Sequence, residues 1–222
     1  MSLNEKDAGL LTGFNQIQAS KCTWAGKVKS LEDPLCYVPS LRTDHAALYR
    51  TVLYALKPRR ILEAGTLFGY SSIFAGEILR EIHGEDFRID TVELISDNVS
   101  SALKNIQEAG LQANIRVIEG DAAEVFSCLQ GPYDLIFLDC SKSSYDRLLD
   151  DAKRLLRKGG MLLADDIQYH GKLEDQEEGE VPHKHRTIVN SLKSFLSRIS
   201  DDNDFAAFAD TMDDGLLVAL KK

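Results

Sequence analysis

The chain has 222 residues, a length that predicts one domain able to fold without disulfides or a structural metal. Hydrophobic residues make up 44% and charged residues 27%, which excludes disorder throughout, and no apolar run is long enough to cross a membrane. The balance of 35 acidic against 26 basic residues gives a net charge of -9, which disfavours non-specific binding to nucleic acid. No secretion signal is evident and the four cysteines form no metal-binding pair, so we expect reduced thiols in a cytoplasmic protein.

Strands and helices alternate through most of the chain. The predicted elements are, in order, a helix over 43–56, a strand over 60–63, a helix over 71–82, a strand over 88–93, a helix over 96–109 with Ser96 as its N-cap, a strand over 114–119, a strand over 133–139, a helix over 145–156 that Gly159 and Gly160 close, and a strand over 161–164. Two more strands, 205–209 and 216–220, flank a turn that contains Gly215. Residues 1–35 are predicted to be a partly helical extension ahead of a domain over 36–222.

This alternation predicts an α/β fold. The expected architecture is a Rossmann-like, doubly wound and mainly parallel seven-stranded sheet, with helices on both faces and a C-terminal antiparallel hairpin. Ligands of such sheets bind outside the carboxyl ends of the strands. An unassigned stretch, 168–186, follows the fifth strand at that edge.

The segment between the first strand and the next helix, Glu63 to Ser71, contains Gly65 and Gly69. Such glycines permit tight turns and a close approach of a ligand to the backbone. The helix N-terminus and the Ser71 hydroxyl offer hydrogen-bond donors to an anion, and Glu63 suits a ligand with an ammonium or sulfonium group. The spacing fits a dinucleotide pyrophosphate poorly, and a turn that serves packing alone is the alternative.

Two further strand ends carry residues suited to a nucleoside. Glu93 ends the second strand, where a carboxylate can accept both hydroxyls of a ribose; a solvated strand end is the alternative. Asp121 and Ala122 follow the third strand, where they would meet an adenine edge or form an ordinary turn.

Carboxylates also end the fourth and fifth strands. Asp139 follows the fourth strand, and Asp165 and Asp166 follow the fifth. Three carboxylates at neighbouring strand ends repel one another unless a cation binds, and an all-oxygen set suits Mg²⁺, Ca²⁺ or Mn²⁺; helix caps or solvated strand ends are the alternative. Lys142 would reach the same cleft, where desolvation beside a metal would lower its pKa and let it act as a base.

An ordered set of these residues resembles a known family, the cation-dependent O-methyltransferases typified by catechol and caffeoyl-CoA O-methyltransferases. The set consists of Glu63–Ser71, Glu93, Asp139, Lys142, Asp165 and Asp166. The resemblance extends from about residue 35 to the C-terminus. It implies that S-adenosylmethionine (SAM) is the methyl donor, that a divalent cation assists, and that the protein is a homodimer.

The resemblance also implies roles for single residues. The residues that it implies to bind the donor are Val38, Glu63, Gly65, Gly69, Ser71, Glu93, Asp121, Ala122 and Asp139. Among them, Gly65 and Ser71 would face the methionine part and Glu93 the ribose. Asp139 and Asp165 match metal-binding aspartates, and Asp166 stands where the family usually has asparagine. Asp139 and Lys142 are the implied catalytic residues, with Lys142 as the general base.

The acceptor stays open at this point. A catechol-like or other small hydroxylated molecule is the first hypothesis. A second follows from Tyr37–Pro39 and the basic stretch 181–189, which resemble a bacterial branch that methylates 5-hydroxyuridine in transfer RNA. A non-catalytic module that binds an adenosyl ligand and a dinucleotide-dependent dehydrogenase are the alternatives of other classes. His45 and His83 are predicted to lie on helix surfaces.

Overall fold

The computed structural model of the protein describes residues 43–169, 185–210 and 214–222. The helices in these ranges are α1 (Thr43–Leu56), α2 (Tyr70–His83), α3 (Ser96–Glu108), α4 (Ala122–Cys128), α5 (Tyr145–Leu155) and α6 (Arg186–Asp201). The strands are β1 (Arg60–Ala64), β2 (Arg88–Glu93), β3 (Ile115–Glu119), β4 (Tyr133–Leu138), β5 (Leu156–Asp165), β6 (Phe205–Asp210) and β7 (Leu216–Lys221). A single 3₁₀ turn, Lys142–Ser144, precedes α5.

The seven strands form one sheet in the order β3-β2-β1-β4-β5-β7-β6, which confirms the predicted fold class. Strands β1 to β5 run parallel, and β7 pairs antiparallel with both β5 and β6. The strand order reverses beside β1, because β2 lies on one side of it and β4 on the other. A crevice outside the carboxyl ends of the strands at this point is where such folds bind ligands.

Two hydrophobic cores cover the two faces of the sheet. Helices α1, α2 and α3 pack on one face, and α4, α5 and α6 on the other. The apolar run of β4 supplies both cores, because Ile136 points to the second face and Phe137 to the first, and both are fully buried. Each such side chain contributes about 1.5–3 kcal/mol by its burial. Because both faces of β4 are covered, the strand lacks the polar alternation of a half-exposed strand.

The structure departs from the predicted elements in several places. Strand β5 begins at Leu156 and continues through Gly159 and Gly160, so these glycines do not close the preceding helix. A Cβ on Gly160 would lie 2.9 Å from the Asp134 carbonyl oxygen, so the glycine lets β5 pass close to β4. Ser96 is the first residue of α3 rather than its N-cap, which is Ile95. Helices α4 and α6 lie where the sequence analysis predicted no element.

Among the helices of the described ranges, none combines the length and the apolar character that crossing a bilayer requires.

Candidate functional site

A cavity of about 450 Å³ opens at the carboxyl ends of β1, β2, β3 and β4. Seven of the predicted site residues line it: Gly65, Ser71, Glu93, Asp121, Ala122, Asp139 and Lys142. These side chains come from separate parts of the chain, and the parallel sheet gathers them because it ends four strands at one edge. The fold therefore brings these seven residues together in one cavity, while their roles toward a ligand stay predictions.

Gly65 turns the chain out of β1 with a φ of 101°, a conformation that glycine tolerates. A Cβ on this residue would overlap the carbonyl oxygen of Asp139. The ends of β1 and β4 are joined here, since the Asp139 N–H donates to the Ala64 carbonyl over 2.8 Å. Gly69 differs, because it does not line the cavity and instead precedes α2, facing Ala102 and Ile106 of α3. Gly69 therefore serves packing between helices, which was the alternative to a ligand contact. Gly65 instead lets the backbone of β1 approach that of β4 at the cavity wall.

Glu63 lies behind the cavity wall rather than in it. Its side chain is 1% exposed, and its carboxylate accepts hydrogen bonds from the hydroxyls of Ser71, Ser72 and Thr91. Burial raises the pKa of this carboxyl to about 7, although the three hydroxyls lower it. Ser71 therefore lies between Glu63 and the cavity.

Glu93 is held in place by the backbone. Its Oε2 accepts from the Leu67 N–H over 2.8 Å, and its Oε1 accepts from the Ile95 N–H over 3.0 Å and from the Asn98 amide over 3.3 Å. The residue is buried and lines the cavity. Fixed donors on both oxygens orient the carboxylate and fill three of its about four lone-pair sites, which leaves a site on Oε2 for one further hydroxyl.

Asp121 caps the short helix α4. Its Oδ1 accepts from the N–H groups of Ala123 and Glu124, at 2.9 and 3.3 Å. The ordinary-turn alternative is therefore correct for this oxygen. Asp121 and Ala122 nevertheless line the cavity, so the cap also shapes the wall beside Glu93.

Asp139 and Lys142 form an ion pair at the β4 side of the cavity. The Lys142 ammonium lies 3.0 Å from Asp139 Oδ1 and 3.8 Å from Asp166 Oδ2. Burial raises the pKa of the Asp139 carboxyl; the Lys142 charge opposes this, and Asp165 and Asp166 add to it. For Lys142, burial lowers the pKa, but the three carboxylates outweigh it and raise the pKa above its ordinary value. In this arrangement Lys142 therefore carries a proton, and the lowered pKa expected beside a metal stays a prediction.

Asp139, Asp165 and Asp166 form an acidic corner of the site. Two residues that were not predicted as site residues contact this corner. His45 of α1 is buried, with its Nδ1 2.6 Å from Asp165 Oδ1, so the prediction of a helix-surface histidine was wrong. The Tyr145 hydroxyl lies 2.7 Å from the Leu138 carbonyl and 2.9 Å from the Asp165 carbonyl, which ties the ends of β4 and β5 together. Helical spacing was the available signal, since His45 lies one turn before the buried Tyr49 on the same stripe.

The acidic corner matches a divalent cation in the type of its ligand atoms but not in their arrangement. Carboxylate oxygens are the ligands that Mg²⁺ and Ca²⁺ prefer, so Asp139, Asp165 and Asp166 fit such an ion in donor type. In the part of the chain that the structure describes, however, no three His, Cys, Asp or Glu side chains converge closely enough to hold one ion. The Lys142 ammonium lies between two of the carboxylates instead. A metal would have to compete with Lys142 for them, and the metal remains a prediction.

Several predictions fall outside the described residues. Val38 and the extension over 1–35 are among them, as is 170–184 within the stretch 168–186, which includes His183 and Lys184 of the basic stretch on which the transfer RNA hypothesis depends.

The chain is similar in sequence to known O-methyltransferases. A sequence profile of the O-methyltransferase family matches residues 38–222. A catechol O-methyltransferase from Niastella koreensis is 34% identical over 126 residues, which are 55% of this chain and 55% of the relative. A catechol O-methyltransferase from Mycobacterium tuberculosis is 32% identical over 136 residues, 60% of each chain. The matches thus span little more than half the length of these relatives.

Solved structures show the same fold. The O-methyltransferase TomG from Streptomyces achromogenes, determined in complex with SAM, superposes with a TM-score of 0.77 at 22% identity. The superposition covers 99% of this chain and 100% of TomG.

Proposed function

The chain belongs to the O-methyltransferase family, and we propose that it transfers the methyl group of SAM to a hydroxyl of a catechol-like or other small hydroxylated acceptor. The observation that carries the proposal is a single cavity with Glu93 at the end of β2 and the Asp139–Lys142 pair at the end of β4. Strand β1 lies between them, and its Gly65 turn forms the wall that joins the two ends.

The donor would lie along the first half of the sheet. Glu93 would accept one ribose hydroxyl at the free site on Oε2 and the other on Oε1 in place of the Asn98 amide, which is its longest contact at 3.3 Å. The wall at Asp121 and Ala122 would face the adenine. The methionine part would then lie against Gly65 and Ser71, which brings the sulfonium methyl toward Asp139. SAM complexes of structural neighbours such as TomG support this choice of donor.

The transfer itself is an in-line displacement by the acceptor oxygen on the sulfonium methyl. A phenolic hydroxyl has a pKa near ~10, so little of it is ionised at neutral pH. The acceptor's proton would pass to solvent water, and the Lys142 ammonium would stabilise the resulting phenolate by its charge. The phenolate oxygen would then take the methyl group, and S-adenosylhomocysteine would leave as a neutral thioether. Holding both reactants in line contributes about 7–11 kcal/mol to lowering the barrier.

A divalent cation would add to this chemistry. Bound by Asp139, Asp165 and Asp166, it would lower the pKa of the acceptor hydroxyl and orient two vicinal oxygens. His45 and Tyr145 hold Asp165 and the end of β4 in place for such a site.

The proposal is tested by a methyl-transfer assay with SAM and a panel of acceptors: catechol, a caffeoyl ester, and transfer RNA with and without 5-hydroxyuridine. Each is measured with Mg²⁺ and with EDTA. We expect one methyl on the catechol oxygen and loss of product with EDTA. Product only on hydroxylated transfer RNA would replace the acceptor class, and SAM binding with no product on any acceptor would reject the enzyme in favour of a binding module.

A matched pair of variants tests the role of Glu93. Glu93 and Glu119 are paired at the ends of adjacent strands, but Glu119 does not line the cavity. Glu93→Gln should weaken SAM binding about tenfold by removing charged hydrogen bonds to the ribose, whereas Glu119→Gln should leave it unchanged. Equal effects of the two substitutions in calorimetry would reject the proposed ribose contact.

A further inference from the structure

We propose that Tyr169 and His185 are positioning residues for Asp166: their contact ties the turn that carries Asp166 to helix α6, which also holds the turn that carries Lys142. Together the two ties set the separation between the Lys142 ammonium and the Asp166 carboxylate, which lie 3.8 Å apart. The inference rests on the proposed function, since it concerns how the ammonium is held at the cavity where it would stabilise the acceptor oxygen.

The turn after β5 has an unusual backbone. Asp166 has a φ of 55° and Tyr169 a φ of 46°. This left-handed region is unfavourable for residues other than glycine, less so for aspartate than for a bulky tyrosine. Such a conformation persists only where surrounding contacts hold it in place. The turn from Asp166 to Tyr169 therefore depends on its partners for its shape.

The partners of this turn come from two directions. On the β7 side, the Gln168 N–H donates to the Asp214 carbonyl over 2.7 Å. On the α6 side, the Tyr169 hydroxyl lies 2.9 Å from Nδ1 of His185, and the centroids of the two rings are 5.6 Å apart. His185 directly precedes the first residue of α6. The Tyr169–His185 contact therefore joins the end of the turn to the start of the helix.

Helix α6 is also attached to the segment that carries Lys142. The Ser191 hydroxyl of α6 donates to the Ser143 carbonyl over 3.0 Å, and Ser143 belongs to the 3₁₀ turn Lys142–Ser144. From His185 to Ser191 the helix rises by about 9 Å, a distance that its backbone hydrogen bonds keep fixed. The turns that carry Lys142 and Asp166 are therefore both attached to the N-terminal half of one rigid element.

These attachments bear on the cavity because Lys142 has two carboxylate partners. Its ammonium lies 3.0 Å from Asp139 and 3.8 Å from Asp166, and its side chain lines the cavity and is 11% exposed. Without the contact between Tyr169 and His185, the turn can relax to a negative φ and carry Asp166 away from the ammonium. Asp139 alone would then hold Lys142, which would be less well placed beside the acceptor.

The test measures steady-state kinetics with SAM and catechol. Tyr169→Phe removes the hydroxyl and keeps the ring, and His185→Ala removes its partner. Each should lower kcat about fivefold, as expected for the loss of one hydrogen bond, and leave the KM for SAM unchanged. Because both substitutions remove the same contact, the double variant should be no slower than either single variant.

A second cycle asks whether Tyr169 acts through Asp166. In an Asp166→Ala background, Tyr169→Phe should have no further effect on kcat, because the residue that it positions is gone. Tyr54→Phe is the matched control, since the Tyr54 hydroxyl donates to Glu81 and neither residue lines the cavity. It should leave kcat unchanged.

Two outcomes would overturn the inference: a loss of kcat from Tyr169→Phe that is equal with and without Asp166, or no loss in either background. If the wild type transfers no methyl to catechol, the proposed function fails, and amide hydrogen exchange still decides the inference. The Ile167 and Gln168 amides should exchange about tenfold faster in Tyr169→Phe than in the wild type or in Tyr54→Phe. Unchanged exchange would show that the contact does not hold the turn.

Discussion

Two groups of acidic side chains lie at the same edge of the sheet and are stabilised in different ways. Glu63, behind the donor end of the cavity, is surrounded by neutral hydroxyls. Asp139 and Asp166, at the β4 end, share the Lys142 ammonium. Hydroxyl groups that the fold holds in place can orient a ligand and are not displaced by it. A counterion such as the Lys142 ammonium can be displaced by another cation, or it can pair with a negative charge that develops during a reaction. Under the proposed function, this difference would separate recognition of the donor from methyl transfer along one cavity.

Removing a carboxylate at the ion-paired end should have the largest effect. Asp139→Ala should lower turnover by about 10³-fold, because Lys142 loses its nearest partner and the predicted metal loses a ligand. Binding of S-adenosylhomocysteine should change little. Steady-state rates with catechol and calorimetry measure the two quantities. Asp151→Ala, on the outer surface of α5, is the control, and unchanged turnover in Asp139→Ala would remove its role in the chemistry.

The contact between the ends of β1 and β4, at Gly65, should be the place where a substitution lowers the free energy of unfolding most. Gly65→Ala should cost about 4 kcal/mol, because its Cβ would overlap the Asp139 carbonyl in a backbone conformation already unfavourable for alanine. Gly84→Ala, also at a positive φ but with open space around it, should cost about 1 kcal/mol. Urea unfolding measures both. Similar costs would mean that the contact between β1 and β4 is not tight.

The hydroxyl-bound acid should make stability depend on pH. The folded state holds the Glu63 proton up to about pH 7, while the unfolded state loses it near the ordinary value of 4.5. Stability should therefore fall as the pH rises from 4.5 to 7, by about 3 kcal/mol from this group. Unfolding free energies of wild type and Glu63→Gln over this range, subtracted from each other, isolate the effect; a difference independent of pH would contradict it.

The ammonium at the ion-paired end should affect rate more than binding. Lys142→Met should lower kcat about 10²-fold with a small change in the KM for SAM, because the charge that stabilises the acceptor oxygen is lost. Lys153→Met is the control, since Lys153 pairs with Asp202 and Asp204 away from the cavity. A wild-type kcat in Lys142→Met would show that the ammonium only neutralises Asp139.

Much of this molecule follows from local pattern. The apolar run of β4 and the alternation of strands and helices predict the sheet, and strand ends carrying Glu93 and Asp139 predict where the cavity lies. Partners that depend on tertiary contact could not be read in this way. His45 meets Asp165 only because α1 packs over β5, and the raised pKa of Lys142 needs three carboxylates from two strand ends.

Methyl transfer in this cavity is tested most directly by a single-turnover reaction of SAM carrying an isotopically labelled methyl group with catechol, followed by mass spectrometry. We predict that the label appears on a catechol oxygen in the wild type and appears about 10³-fold more slowly with Asp139→Ala. Label that stays on SAM with every diol tried, although S-adenosylhomocysteine binds normally, would contradict the proposed enzyme.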